Sequence, residues 1–124
     1  MRVVRIANVE HVPLGTAEAV PGWTGGDVHR TRQPIIPEGE SDFFNASVVN
    51  FEKGAQTGWH VHSSDQILVI TVGNGIVANE TEEHHVGVGD VVQIKAGENH
   101  WHGATANGYM GHITITSSDS TASR

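Results

Sequence analysis

The sequence predicts an all-β protein, a sandwich or jelly-roll barrel in one domain with little or no helix. Three observations predict it. Fifteen glycines are spread among closely spaced turn signals. Short runs rich in β-branched residues lie between those turns. Nowhere do apolar residues recur at helical spacing for three turns.

Strands are expected near Val3–Val9, Asp27–Thr31, Phe43–Phe51, Gly58–His62 and Gln66–Val72. Further strands are expected near Gly75–Asn79, Glu82–Val86, Asp90–Ile94, His100–Gly103 and Tyr109–Thr116. Turns are expected at Pro21-Gly22, Gly25-Gly26, Gly73-Asn74-Gly75, Gly87-Val88-Gly89-Asp90 and Asn107-Gly108, where glycine, asparagine or proline supplies turn geometry. Residues 11–42 hold all four prolines and read as a covering arm with one or two edge strands. The expected organisation is an N-terminal arm over 1–22, a barrel over 23–116 and a small, polar, frayed tail over 117–124. No repeat of fixed period is visible.

Composition narrows the function. With 124 residues, 37% hydrophobic and 17% charged, the chain suits one soluble domain around one core. Fourteen acidic residues against seven basic give a net charge of −7, which opposes binding to a phosphate backbone. The absence of cysteine removes disulfides, thiolate metal ligands and thiol nucleophiles. Residues Met1–Glu10 lack the apolar run of a signal peptide, and no stretch approaches the ~20 apolar residues of a membrane span. A cytoplasmic protein acting on a small molecule, with no nucleic acid or membrane partner, is expected.

The chemistry concentrates in two glycine-framed units. The first runs Gly54, five residues, His60-Val61-His62, three residues, Gln66, six residues, Gly73. The second runs Gly89, seven residues, Gly97, two residues, His100, with His102 beyond it. Histidines two apart on a strand share a face, so His60 and His62 can reach one ion, and His100 and His102 project together. A turn at Ser63-Ser64-Asp65 would bring Gln66 to the same place. A lone histidine is more often a hydrogen-bonded or surface residue, and His11, His29, His84 and His85 are read that way. Three at these spacings favour a metal site.

These units resemble the two motifs of the cupin superfamily, a jelly-roll β-barrel whose motif residues hold a divalent metal. The resemblance implies His60, His62, Gln66 and His100 as ligands. Gln66 stands where the family usually has Glu, Lys95 where it usually has Pro, and Ala104 where it usually has Asn. Over residues 23–116 the chain is similar to the small bacterial cupins that include manganese-dependent hydroxynitrile lyases. It shares with them Gly54–His62, Gln66, Glu98–Ala104 and Met110–His112. That likeness implies one divalent ion per chain, Mn²⁺ first and Fe²⁺, Co²⁺, Ni²⁺ or Zn²⁺ as alternatives. It also implies two histidines near the metal, His102 and His112, and a homodimer, since small cupins commonly pair.

Three imidazoles and an amide oxygen are all neutral, so a bound ion would keep its full charge. It would then be a stronger Lewis acid, held less tightly, than beside a glutamate. The alternative is a degraded site.

Alternation along the last strand turns Met110, His112, Thr114 and Thr116 inward and Tyr109, Gly111, Ile113 and Ile115 outward. His112 is therefore read as a general base, and His102 as either a base or a ligand-orienting partner. Parity on Phe43–Phe51 puts Ser47 and Val49 on the pocket wall, joined by Leu68, Met110 and Thr114. Trp59 and Trp101 are expected as outward-facing packing, with a subunit interface as one place for it, and carry no chemistry. The leading function is a metal-dependent lyase that splits a cyanohydrin into an aldehyde and cyanide. With iron the same ligands would suit a dioxygenase, and a third use is metal or small-ligand binding without catalysis.

Overall fold

The computed structural model describes residues 1–124 as twelve strands and one 3₁₀ turn, Ile6–Asn8. The strands are β1 (Val12–Thr16), β2 (Glu18–Ala19), β3 (His29–Ile36), β4 (Phe44–Phe51), β5 (Ala55–Gln56), β6 (Val61–His62), β7 (Gln66–Asn79), β8 (Glu83–Gly87), β9 (Val91–Ile94), β10 (His100–Ala104), β11 (Met110–Ser117) and β12 (Ala122–Ser123). The hydrogen-bonded order is β1-β3-β4-β11-β7-β10-β5-β2, with β8 and β9 also pairing with β7. Every pairing is antiparallel, and the result is the all-β, nearly closed barrel expected from the sequence.

The spine of the barrel is β7. Its first half lies between β9 and β11, and its second half between β8 and β10. The sequence suggests a turn at Gly73-Asn74-Gly75, which would cut this strand in two; the structure shows a bend instead. Gly73 takes φ +66°, and a Cβ there would overlap the Tyr109 carbonyl oxygen, which accepts the Asn74 N–H at 3.1 Å. The chain passes from one side of the barrel to the other without leaving the ladder.

One face of each central strand supplies the interior. Phe51, Leu68, Ile70 and Met110 are fully buried, within a cluster that includes Ala55, Val77, Val86, Ile94 and Ala104. Each large side chain of this group contributes roughly 1.5–3 kcal/mol by leaving water. Phe51 ties this core to the site, packing on His112 with ring centroids 5.5 Å apart and on His102 at 5.8 Å.

Two expectations fail at the edges. Val3–Val9 is not a strand. Its centre is the Ile6–Asn8 turn, held by the Gln33 amide, which donates to the carbonyls of Ile6 and Val9 at 2.9 Å. The edge strand begins later, at Val12. The C-terminal tail is not frayed, because β12 pairs with β6 and Arg124 donates to the Thr57 carbonyl at 2.9 Å. Trp101, expected as outward-facing packing, is buried in a small cluster with Val20 and Ala78, separate from the main core. Trp59 is exposed.

Candidate metal centre

Backbone pairing brings the two sequence units together. His60 and His100 form an isolated antiparallel bridge through N–H to carbonyl bonds of 2.9 and 3.0 Å, so their rings sit 4.2 Å apart. His62 follows two residues later on β6, on the same side. The nearest ring nitrogens of His60, His62 and His100 all lie within 4.8 Å of one another. Gln66 opens β7 facing them, its Oε1 3.1 Å from His100 Nε2. Its Nε2 donates to Thr114 Oγ1 at 2.7 Å, which turns the amide oxygen towards the histidines.

The donor set fits a divalent ion. The His60 and His100 Nδ1 atoms lie 2.9 and 2.8 Å from the carbonyls of Gly58 and Glu98, so each ring spends its proton there and keeps Nε2 as a lone pair. At His100 that lone pair meets the Gln66 oxygen, another acceptor, with no hydrogen left to lie between them. The buried Nε2 of His62 has no partner. Burial disfavours the imidazolium at all three positions. It lowers His60 to about 4 against the opposing pull of the Gly58 carbonyl, and lowers His62 and His100 as well. A cation resolves what a proton does not: several converging lone pairs in a partly buried place.

Beside this group lies a second pair. His112 Nε2 and His102 Nδ1 are 3.0 Å apart, and both rings are almost fully buried. Burial lowers His112 to about 4. It lowers His102 as well, the neighbouring His112 adding to the effect. Both are neutral near pH 7, so one hydrogen is shared across the contact. The other two ring nitrogens, His102 Nε2 and His112 Nδ1, are buried without a hydrogen-bond partner in the protein.

A cavity of about 370 Å³ opens over these groups. Ser47, Val49 and Thr114 line it, as parity predicts, together with His60, His62, Gln66, His102 and His112. Leu68 and Met110 do not. They share the inward face but lie at core depth, fully buried among apolar neighbours, because inward residues of a barrel divide between its packed core and its open end. The sequence reading missed Arg30, Arg32, Glu38 and Thr57 on the wall, and Ser118, Ser120 and Ala122 from the tail. Arg30 and Arg32 carry a faint signal, two cations two residues apart, but nothing local says that β3 pairs with β4. His11, His29, His84 and His85 are exposed, and none of them lines this cavity.

A protein-family model described as "Cupin domain" matches residues 47–115, the span that holds all four candidate ligands. The chain belongs to the cupin family. It is 46% identical over 96 residues, 75% of this chain and 70% of the relative, to an (R)-mandelonitrile lyase of Granulicella tundricola. Among solved structures it is similar to a cupin-like protein of Thermotoga maritima, 27% identical, TM-score 0.73, covering 86% of this chain and 84% of that one. It also shares its fold with a polyketide cyclase of Streptomyces resistomycificus, 16% identical, TM-score 0.79, covering 96% of this chain and 80% of that one. No helix in this cupin is long and apolar enough to cross a membrane.

Proposed function

We propose that this cupin is a metal-dependent lyase that cleaves a cyanohydrin to an aldehyde and hydrogen cyanide. His60, His62, Gln66 and His100 would hold the ion, with Mn²⁺ the first candidate. The relative named (R)-mandelonitrile lyase supports the reaction class. The observation that carries the reading is the buried His102–His112 contact of 3.0 Å beside the ligand group.

When bound, the ion supplies Lewis acidity, undiminished by any ligand charge because all four ligands are neutral. The histidine pair supplies the proton traffic. If His112 Nε2 donates to His102 Nδ1, then His112 Nδ1 is a bare lone pair and His102 Nε2 carries hydrogen. The opposite tautomers exchange these roles. Either way the pair offers one proton acceptor and one donor. The acceptor, His112 in the proposed assignment, takes the hydroxyl proton, and the O–H electron pair becomes the carbonyl π bond. The carbon–carbon bond breaks, cyanide leaves with its electrons, and the donor nitrogen protonates it. A proton crossing the 3.0 Å contact leaves the pair neutral.

The test is manganese-loaded protein with racemic mandelonitrile under air. Benzaldehyde and cyanide should appear in equal amounts without oxygen uptake. Oxygen consumption coupled to turnover would favour an iron dioxygenase. Tight ligand binding with no product would favour a binding protein.

A further inference from the structure

The wall above the histidines carries charge that the neutral floor does not explain. The chain has seven basic residues in all, and two of them, Arg30 and Arg32, line the cavity, against one carboxylate, Glu38. Neither arginine has a carboxylate within ion-pair distance, although acidic residues outnumber basic ones two to one. Arg32 Nε donates to Ser47 Oγ at 3.1 Å, which aims the side chain along the cavity wall and leaves its two terminal amino groups without a protein acceptor. Arg30 is less satisfied still, for its Nε is buried with no partner. Burial, and then the charge of Arg124, work against its charged form, with Glu18 only partly compensating. A half-buried guanidinium without an acceptor is costly unless something else supplies the acceptor.

The register places these cations within reach of the reacting end. Arg32 lies opposite Val49 on β4, and Val49 lies opposite His112 on β11. Two strand spacings of roughly 4.8 Å separate the backbones of Arg32 and His112. A molecule of only a few carbons, with one end at the histidines, therefore brings its other end to the guanidiniums. The planar fork of arginine matches a carboxylate in two parallel hydrogen bonds.

We propose that the cavity takes a small hydroxylated organic acid, its carboxylate held by Arg30 and Arg32 while its hydroxyl end lies over the histidine floor. This deepens the lyase reading and rests on it for the reacting end of the substrate alone. The relative's named substrate, mandelonitrile, has no carboxylate, so the arginines mark a preference that the relative's name does not convey.

Calorimetry with manganese-loaded protein tests this, using mandelate and mandelamide, which share a hydroxyl and a ring but differ in charge. Mandelate should bind roughly tenfold or more tightly, the usual weight of a charge-assisted pair. Arg30→Met and Arg32→Met should each shrink that preference severalfold while keeping wild-type metal content. Arg32→Lys, which keeps the charge without the fork, should retain part of it and guards against a misfolded methionine variant. Equal binding of the two probes in the wild type would overturn the proposal. So would a preference that survives both methionine variants, since the anion would then be held elsewhere. Failure of mandelonitrile cleavage beside a preference that depends on the arginines would overturn the lyase reading and leave the anion site standing.

Discussion

At the floor of the cavity four imidazoles, those of His60, His62, His102 and His112, are pushed towards the neutral form by burial, whereas at its rim two guanidiniums sit without acid partners among serines and one carboxylate. The floor comes from β10, β11 and the His60–His62 segment, where the His60–His100 bridge and the strand pairings hold each ring to a fixed place. The rim comes from β3 and the C-terminal tail, two parts of the chain some way apart in sequence. The difference separates two tasks. Neutral, converging lone pairs suit a cation and proton transfer, and unpaired guanidiniums suit recognition of an anion.

The largest effect should come from breaking the floor without touching the ligands. His112→Ala should keep its metal and lose roughly 10²–10⁴-fold in cyanohydrin turnover, the usual contribution of a positioned base. His102→Ala should fall comparably if the pair works as one unit. Full activity in His102→Ala would reduce the mechanism to His112 alone, and metal loss in His112→Ala would make that residue a ligand.

Next comes pH. In protein stripped of metal, His60 and His112 fold as neutral groups with pKa values of about 4, against ~6.5 in the unfolded chain. The unfolded state binds more protons between those values, so stability is full above about pH 6.5 and is lost as pH falls towards 4. His112 alone should account for roughly 3 kcal/mol of that loss, and the partly exposed His60 for less. Urea midpoints at pH 7.5 and 4.5 check this, and His112→Gln should flatten the difference. A midpoint independent of pH would contradict the buried neutral floor. The acid limb of turnover should likewise lie near pH 4, below the ordinary histidine range.

The smallest effect sharpens the rim. Removing Thr121–Arg124 takes away the β12–β6 pairing and the Ser63–Thr121 hydrogen bonds of 2.9 Å that clamp the strand carrying His62. Metal affinity, measured by chelator competition, should weaken severalfold while the barrel stays folded. Unchanged affinity would show that β6 holds its place without the tail.

The floor was legible because its signals are local. Residues two apart share a face, so the alternation of β10 and β11 put His102, His112 and Thr114 on the cavity wall, and the same rule on β4 put Ser47 and Val49 there. Depth along the barrel was not legible, which is why Leu68 and Met110 lie in the core instead of the pocket. The rim was hidden for a different reason. Arg30 and Arg32 reach the cavity only through pairing of β3 with β4, and the tail only through β6, and neither partnership leaves a mark in the local pattern. The Val3–Val9 segment misled because its β-branched residues lack a strand partner, and the Gln33 side chain gives the backbone another one.

Elemental analysis tests the central claim most directly, comparing purified wild type with His60→Ala, His62→Ala and His100→Ala. About one divalent ion per wild-type chain and near zero in each variant is expected, with the β-sheet spectrum intact, because the barrel rests on apolar burial rather than on the ion. Wild-type metal content in any two of the three variants would contradict it.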